Sequence, residues 1–391
     1  MRTEITVHPD ATKLIECLNG AGFAAFAVGG CVRDALRGAD PHDWDLSTAA
    51  TPEQMHQALR GFDLRDTGLK HGTITAILRG RHYEITTFRV DGGYTDNRRP
   101  DSVLFVTDAE QDLSRRDFTI NAMAYHPQEG LIDPFGGAAD LRRGVVRAVG
   151  EPQKRFDEDA LRILRALRFA SVLDFAIDTQ TSEAISAQKY LLKNVAAERI
   201  ESELRKLLLG KRAGGVLEAY LPVAQVVLPV PQTLNAAMIN ALPQNILQRY
   251  AVLFWDSAQE DREEAIRFLR LPKREQRHLQ SIWALQAADF SENAPPRIKK
   301  NLGQYGDAFL DYLIITKQDE ILATTRRLLE ENACTAIAQL QIDGYDLQAL
   351  GLSKKQIGQA LRELLDDVIC ARVPNEKAAL IAYYQAKRGI L

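Results

Sequence analysis

The first part of the chain alternates short apolar runs with polar turns, which predicts a small sheet packed with helices. Apolar residues recur at helical spacing over residues 9–21, and a short apolar strand follows over residues 23–28. A second helix is predicted over residues 31–38, and Pro52 opens a third at a position where proline fits. Further extended segments are predicted over residues 43–46, 73–78, 82–90, 102–107 and 119–125.

Turn-forming residues separate these elements. Arg79-Gly80-Arg81 joins two of the strands as a hairpin, and residues 91–101 form a polar loop that contains glycine. The stretch Asp133-Pro134-Phe135-Gly136-Gly137 combines several turn formers, so we expect a domain boundary there. From Glu151 onward, helix follows helix. The pattern therefore predicts a mixed α+β region followed by an all-α remainder.

The length and composition of the chain limit its possible domain organisation and binding partners only weakly. A chain of 391 residues is too long for one ordinary core, so several domains are expected. The formal net charge of −3 gives no overall basic field, so contact with a nucleic acid needs local basic patches. The four cysteines lie far apart and are interpreted as free thiols. No apolar run suits a signal peptide or a membrane helix, which predicts a cytoplasmic protein without a membrane partner.

Asp43 and Asp45 flank Trp44 in a predicted strand, where residues two apart project from the same face. Two neighbouring carboxylates repel each other unless a cation lies between them, and carboxylates together with substrate phosphates suit Mg²⁺. Glu84, in the strand predicted over residues 82–90, is the candidate third carboxylate of a two-metal site. The alternative for all three acids is an ordinary position on a solvated strand or turn.

Gly29-Gly30 lies between the first predicted strand and the second helix. Glycines at that point let the backbone approach a ligand, and the N–H groups that open a helix face an anion. Arg33 adds a bidentate donor for phosphate oxygens. A Gly-Gly pair alone is an ordinary tight turn, but combined with the nearby aspartates it predicts a nucleotide-phosphate site.

A dense polar run over residues 115–121 is the next candidate. Arg116 can clamp a triphosphate, because its guanidinium matches phosphate oxygens. Asp117 and Asn121 can hold ribose hydroxyls or the Arg116 side chain itself. The alternative is a charged helix end, which we consider weaker because the polar run adjoins an apolar strand.

Asp159 and Arg162 are three residues apart on a predicted helix, so their side chains are neighbours. They are either an intrahelical ion pair or a pair that selects the base. In the second case Asp159 accepts from the amino group of cytosine or adenine while Arg162 donates to ring acceptors, and uracil and guanine mismatch both contacts. Arg165 is predicted to join this site. For Arg168 a packing role stays open, because arginines at every third position drift around a helix by about 60° per step.

In this order the motifs resemble those of the bacterial class II tRNA nucleotidyltransferases, which are CCA-adding enzymes of the polymerase-β-like superfamily. The resemblance covers residues 20–205 and rests on GGCVRD at 29–34, DWD at 43–45, HGT at 71–73, EITTFR at 84–89, RRDFTINA at 115–122, DPFGG at 133–137 and EDALRILR at 158–165. A less specific similarity extends from residues 342–347 to residues 374–377.

The resemblance implies a polymerase-β-like palm as a catalytic head over residues 1–140, followed by an all-α neck over 141–205, body over 206–325 and tail over 326–391. It implies that Asp43, Asp45 and Glu84 bind Mg²⁺ and that residues 133–137 form a hinge. The nucleotide-binding residues that follow from the motifs are Gly29, Gly30, Arg33, Arg116, Asp117, Asn121, Asp159, Arg162, Arg165 and Arg168.

The function implied is the addition of CCA to the 3′ end of tRNA from CTP and ATP without a template. An A-adding or poly(A)-type enzyme is the first alternative, and a catalytically inactive RNA-binding relative is the second. The loop over residues 89–100 looks complete, which argues against addition of CC alone. Basic clusters on the later helices are solvated faces or tRNA contacts. Whether two copies form a homodimer stays open.

Overall fold

The computed structural model describes residues 4–92, 103–288 and 294–388. Their contacts divide the chain into two compact units. Unit 1 contains residues 1–240 and 257–270, and unit 2 contains residues 241–256 and 271–391. Most of the loop predicted over residues 91–101 lies outside the described residues. The four-part division into head, neck, body and tail stays a prediction.

The strands all belong to unit 1. They are β1 (Ala25–Val28), β2 (Leu46–Thr48), β3 (Asp63–Gly68), β4 (Thr73–Leu78), β5 (Arg81–Thr87), β6 (Arg89–Asp91), β7 (Val103–Phe105), β8 (Ala124–His126), β9 (Gly130–Ile132), β10 (Val145–Val146) and β11 (Ala176–Ile177). The helices between and after them begin with α1 (Pro9–Gly20), α2 (Gly30–Leu36), α3 (Pro52–Ala58), α4 (Ala109–Ser114), α5 (Gly137–Arg143), α6 (Pro152–Glu158), α7 (Leu161–Leu173), α8 (Thr179–Gln188) and α9 (Ala197–Leu208).

A seven-stranded sheet in the order β3-β4-β5-β2-β1-β8-β9 forms the centre of the first part of unit 1. Strands β2 and β5 are parallel, with Leu46 opposite Ile85, whereas β1 pairs antiparallel with both β2 and β8. The parallel pair brings Asp45 and Glu84 to the same level, because each immediately precedes one of the partnered residues. The topology therefore places two predicted site residues on adjacent strand lines near the middle of the sheet.

Several predicted elements differ from the structure. The strand predicted over residues 43–46 starts too early, because β2 begins at Leu46 and Asp43 lies in irregular backbone before it. The extended segment predicted over residues 119–125 is also wrong in its first half. Thr119–Asn121 is a 3₁₀ turn, in which the Asn121 N–H donates to the Phe118 carbonyl at 2.9 Å. Strand β3 was not predicted, because most of its residues, DLRDTG, are polar and exposed.

Other predictions are confirmed. Strand β4 and the hairpin at Arg79-Gly80 follow the predicted bounds closely, and both turn residues have the positive φ that such a hairpin requires. The turn at Asp133 caps α5, since its carboxylate accepts from the N–H groups of Gly137 and Ala138 at 2.6 and 2.9 Å. The described structure also leaves all four cysteines free. The predicted fold class, an α+β part followed by helices, is confirmed.

The rest of the chain is helical. The helices are α10 (Ala213–Ala219), α11 (Leu221–Ala224), α12 (Ala236–Ala241), α13 (Ile246–Leu253), α14 (Gln259–Phe268), α15 (Lys273–Ala284), α16 (Pro295–Tyr305), α17 (Asp307–Ile315), α18 (Asp319–Glu330), α19 (Gly344–Ala349), α20 (Lys354–Ile369) and α21 (Lys377–Arg388). Helices α13 and α15 to α21 belong to unit 2. Among the described residues, no helix is long and apolar enough to cross a bilayer.

Candidate active site

One cleft of unit 1, which we name the arginine cleft, gathers the predicted nucleotide-binding residues. Its volume is about 520 Å³. All ten of these predicted residues line it, together with Asp45 and four residues that the sequence did not single out, namely Arg115, Leu161, Phe169 and Arg199. The lining holds seven arginines but only three aspartates. Carboxylates outside the lining, namely Asp34, Asp112, Glu158 and Glu203, pair with the remaining arginines, so the cleft concentrates guanidinium donors without a large net charge.

The Gly-Gly turn shapes the back of the arginine cleft. Gly29 has a φ of +79°, a conformation that side chains disfavour, and its N–H donates to the Met123 carbonyl at 3.0 Å. A Cβ atom at Gly29 would lie 2.7 Å from Nη1 of Arg116. Glycine therefore suits the backbone turn at this position and leaves the Arg116 guanidinium where it lies.

Asp117 lies at the buried end of the cleft and binds Arg165. Its carboxylate accepts from Nε of Arg165 at 2.8 Å and from Nδ2 of Asn121 at 3.1 Å. Burial works to raise the pKa of Asp117, but the Arg165 charge and the hydrogen bonds outweigh it and lower the pKa to about 2. Asp117 is thus a fixed anion that orients two other residues of the cleft.

Arg33 and Phe169 also line the cleft. Arg33 donates to Asp34 at 2.9 Å and to Oδ1 of Asn121 at 2.7 Å. The guanidinium carbons of Arg33, Arg165 and Arg168 lie 5.2, 5.6 and 4.0 Å from the ring centroid of Phe169. The ring face attracts cations, so a single aromatic side chain helps to hold three arginines at close quarters.

Asp159 and Arg162 do not share one helix, which corrects the expectation from their spacing. Asp159 has extended backbone in the break between α6 and α7, and α7 begins at Leu161. Its carboxylate accepts from Arg199 and from the Leu161 N–H at 2.8 and 3.0 Å. Arg162 instead donates to Glu158 at 2.6 Å and to the Arg115 carbonyl at 2.9 Å. The two side chains line the same cleft without pairing with each other.

Arg168 lines the cleft and also forms an ion pair with a residue of α9. Its Nε lies 2.9 Å from a carboxylate oxygen of the buried Glu203 on α9. Burial lowers the pKa of Arg168 to about 10, although the Glu203 charge works in the opposite direction. The side chain therefore still carries its charge at neutral pH. The structure thus gives Arg168 both of the roles that the sequence left open, cleft lining and ion pairing.

The three predicted metal-binding acids are arranged around the start of β2. Trp44 is buried, whereas Asp43 and Asp45 are exposed, so the predicted in–out pattern holds although these residues lie before β2 and not in a strand. Asp45 lines the arginine cleft, and Asp43 lines a second cleft with His42 and residues 80–83. The pKa of Asp45 is raised because the surrounding protein displaces water and because Glu84 and Asp43 are negative, while Arg116 counteracts part of this.

The three carboxylates suit a hard cation that takes its remaining ligands from the substrate and from water. Asp45 is close enough to both other acids for their charges to act on it. Within the described ranges, however, no three His, Cys, Asp or Glu side chains are grouped tightly enough to enclose an ion. A metal bound here would complete its coordination shell with phosphate oxygens and water, as Mg²⁺ commonly does in proteins.

Sequence reasoning missed three charged residues that position the cleft. Arg199 on α9 binds Asp159, and Glu203 one turn later binds Arg168. Asp112 is buried and pairs with Arg115 and Arg116 at 2.8 and 3.4 Å. Only Asp112 left a local signal, because it precedes the two arginines at the three- and four-residue spacing of a helical ion pair.

Two family models match parts of the chain. A model described as the poly A polymerase head domain matches residues 25–147. A second, described as a probable RNA and SrmB-binding site of polymerase A, matches residues 174–219. The first match contains the Gly-Gly turn and all three predicted metal-binding acids. The second contains Arg199 and Glu203.

Full-length relatives and solved structures extend the similarity. The CCA-adding enzyme of Leuconostoc mesenteroides is 35% identical over 95% of this chain and 94% of its own length. That of Lactiplantibacillus plantarum is 35% identical over 97% of both. The crystal structure of the Bacillus stearothermophilus CCA-adding enzyme in complex with CTP superposes with a TM-score of 0.82 at 30% identity, covering 98% of this chain and 99% of that one. The Thermotoga maritima enzyme complexed with tRNA, at 22% identity and a TM-score of 0.70, shares the fold.

Proposed function

The chain belongs to the CCA-adding enzymes, and from this premise we propose that it builds the CCA end of tRNA from CTP and ATP without a template. The observation that carries the proposal is the arginine cleft, which collects every predicted nucleotide-binding residue beside Asp45. The family is shown by relatives that match almost the whole chain. The cleft supplies the chemistry that such an enzyme needs.

The arginines of the cleft suit a nucleoside triphosphate. Seven arginines line it, and although each also contacts a carboxylate of the protein, a guanidinium has five N–H donors and can still donate to phosphate oxygens. Arg33 and Arg116 lie beside the Gly29 turn, where backbone can approach phosphate oxygens closely. We assign these residues to the triphosphate, and Asp117 and Asn121 to its ribose and to the orientation of Arg165 and Arg33.

Asp159 and Arg162 keep the hydrogen-bonding capacity that base selection requires. The described contacts of Arg162 use both Nη1 hydrogens and one Nη2 hydrogen, which leaves Nε–H and one Nη2–H to donate. Each carboxylate oxygen of Asp159 accepts one hydrogen bond and can accept another. Cytosine and adenine match this set of donors and acceptors, whereas uracil and guanine leave it unsatisfied.

We assign Mg²⁺ to Asp43, Asp45 and Glu84, together with oxygens of the triphosphate. Bound there, the ion would neutralise charge on the triphosphate and on the departing pyrophosphate. In the reaction the 3′-oxygen of the RNA bonds to the α-phosphorus, and the bond from that phosphorus to the bridging oxygen of pyrophosphate breaks. The arginines hold the triphosphate in line for this attack.

We place the tRNA on the helical parts of the chain and the enzyme in the cytoplasm, where tRNA is processed. The residues that would meet the phosphate backbone belong to the basic clusters predicted from the sequence, namely Arg205-Lys206, Lys211-Arg212, Lys273-Arg274, Arg277-His278, Arg297 and Lys299-Lys300. Arg205 pairs with Glu201, Arg212 with Asp174, His278 with Asp311 and Lys300 with Asp366, so these four are the weaker candidates.

An incorporation assay tests the function directly. The full chain is incubated with Mg²⁺ and a tRNA that lacks its CCA end, with CTP alone, ATP alone or both. We expect CTP alone to add two residues, both nucleotides together to complete CCA, and ATP alone to add nothing. Gel electrophoresis at single-nucleotide resolution provides the readout.

The same assay identifies the alternatives. Extension by ATP of a tRNA that ends in CC, without any incorporation of CTP, would replace the proposal with an A-adding enzyme. A long ATP-dependent tail would indicate a poly(A)-type enzyme. Absence of incorporation under every condition would make the chain an inactive RNA-binding relative.

A further inference from the structure

A short 3₁₀ helix in unit 1 exposes a tyrosine between two lysines. This helix, Lys189–Asn194, follows α8 and leads into α9. Tyr190 is 62% exposed, which makes it the most exposed aromatic side chain in the described part of unit 1. A single exposed ring is common on protein surfaces, so the groups around it decide what it can bind.

Two cations lie beside the Tyr190 ring. The Nζ atoms of Lys189 and Lys193 are 5.3 and 5.8 Å from the ring centroid, and the ring face attracts both. Neither lysine forms an ion pair with another residue that the structure describes. The exposure of the ring shows that the lysines leave most of it open. We name these three residues the Tyr190 patch, which combines an accessible aromatic ring with two cations that lack a counter-ion.

The backbone that carries the Tyr190 patch is anchored to the rest of unit 1. Leu192 is fully buried. Gln188, directly before the patch, donates from Nε2 to the Gln153 carbonyl and to Asp157 on α6, at 3.2 and 2.6 Å. The Asp157 carboxylate is thus bonded to an amide and not to a lysine of the patch. Both lysines therefore keep their charge available for an anionic partner.

The Tyr190 patch is close to the arginine cleft along the chain. Arg199 lines the cleft from the first turn of α9 and follows Lys193 by six positions. Six residues span at most about 22 Å even when fully extended, and the helical turns at both ends shorten this span. A few nucleotides of RNA can bridge such a distance.

We propose that the Tyr190 patch binds an unpaired nucleotide near the 3′ end of the RNA, with the base stacked on Tyr190 and the adjoining phosphates on Lys189 and Lys193. The inference rests on the proposed function, which brings an RNA 3′ end to the arginine cleft. Every base has a flat face, so an aromatic ring beside cations binds single-stranded RNA with little regard to sequence. Such tolerance suits an RNA end that changes with each nucleotide added. The patch thereby differs from the basic clusters, which contact the backbone of the paired stem.

A binding titration of the full chain tests the proposal. The probe is a fluorescently labelled tRNA that lacks its CCA end and keeps one unpaired nucleotide beyond the acceptor stem, without CTP or ATP. Tyr190→Ala should raise Kd about tenfold, because a base loses its stacking partner. Tyr190→Phe should bind like the unmodified chain, because it retains the ring. No loss in Tyr190→Ala, or an equal loss in Tyr190→Phe, would overturn the proposal.

A shortened RNA identifies the nucleotide that the patch binds. The same tRNA without its unpaired nucleotide ends in a blunt stem, in which the terminal bases are paired. The unmodified chain and Tyr190→Ala should bind this RNA with equal Kd, since neither can form the stack. A tenfold difference that persists with the blunt stem would contradict the placement of the RNA end on Tyr190.

The lysines are tested by the salt dependence of binding. Lys193→Ala should reduce the slope of log Kd against log salt concentration by about 0.7, which corresponds to one lost phosphate contact of a single strand. Lys13 is the matched control, because it is an exposed lysine of unit 1 whose Nζ lies 5.3 Å from the centroid of the half-buried Phe62 ring. Lys13→Ala should leave the slope unchanged. An equal change in both variants would reduce Lys193 to a general surface charge.

Two further measurements separate this inference from folding and from the proposed function. Tyr190 is exposed, so the melting temperature of Tyr190→Ala should equal that of the unmodified chain. In the incorporation assay its KM for tRNA should rise while its KM for CTP stays unchanged. If the unmodified chain incorporates nothing but the binding pattern holds, the proposed function alone fails. Incorporation without any effect of Tyr190→Ala on tRNA binding refutes the patch alone.

Discussion

Arginines line both the arginine cleft of unit 1 and a cavity of about 640 Å³ in unit 2, which we call the unit 2 cavity, but the two sites hold their arginines differently. Every one of the seven cleft arginines binds a carboxylate of the protein, such as Asp34, Asp112, Glu158 or Glu203. At the unit 2 cavity, Arg274 and Arg326 make no ion pair with the described residues. Both linings carry three carboxylates, namely Asp45, Asp117 and Asp159 in the cleft and Glu275, Asp307 and Asp311 in the unit 2 cavity.

This difference determines whether the entropic cost of ordering the long arginine side chains arises during folding or on ligand binding. Immobilising a flexible side chain on binding costs about 0.5–1.5 kcal/mol. In the cleft that cost is met during folding, so the arginines are already placed before any ligand arrives. At the unit 2 cavity the two exposed arginines are not held by ion pairs in this way. We therefore expect precise positioning of a substrate in unit 1 rather than in unit 2.

The largest effect should come from removing an acid beside the cleft. Asp45→Ala should reduce incorporation of CTP by more than about 100-fold, because even indirect partners of a bound metal are worth 10–100-fold. Asp43→Ala should act in the same way. Binding of tRNA, measured by filter retention, should change little. Asp63→Ala, at an exposed acid on β3, is the control, and retained turnover in Asp45→Ala would remove this residue from the metal site.

A smaller effect is expected on base selection. Asp159→Ala should lower the preference for CTP over UTP by about 10- to 100-fold, because the acceptor for the amino group is lost. Arg199→Ala should lower it less, since Asp159 keeps the Leu161 N–H as a partner. The ratio of kcat/KM values provides the measurement. Unchanged discrimination in Asp159→Ala, matched by the exposed Asp157→Ala control, would reduce Asp159 to a structural residue.

Protonation of Asp117 at low pH should lower the stability of the folded chain. Its pKa falls from 3.8 to about 2 on folding, so it contributes about 2 kcal/mol that is fully present above pH 4 and lost as the pH drops through 2. The melting temperature of Asp117→Asn should therefore lie below that of the unmodified chain at pH 6, and the gap should narrow towards pH 2. Asp63→Asn, at an exposed pair with Arg65, should show no such convergence.

The smallest effect separates backbone strain from steric displacement. Gly29→Ala forces a side chain into positive φ and pushes Arg116 away, so stability should fall by about 1 kcal/mol and KM for CTP should rise several-fold. Gly22→Ala has the same strain, at a φ of +88°, but nothing within 4 Å of its Cβ. It should lose stability without a change in KM. A rise in KM in both variants would contradict the placement of Arg116.

The sequence by itself determined the chemistry of the cleft and the class of the fold. Glycine at residue 29, aspartates two apart around a buried tryptophan, and arginines beside Asp117 are local patterns with direct physical meaning. They indicate, respectively, backbone freedom, two exposed acids around a buried side chain and a neighbouring charge. Their order along the chain also predicted the family, which the full-length relatives confirm.

The tertiary structure decided how those residues are held and what else the molecule contains. Arg199 binds Asp159 across 40 positions of sequence, and the hydrogen bonds of Asp311 with Gln248 and His278 join three helices. Asp159 left the helix that its spacing suggested, because the chain breaks between α6 and α7. Contacts of this kind depend on how distant segments pack, and no periodicity within one segment records them.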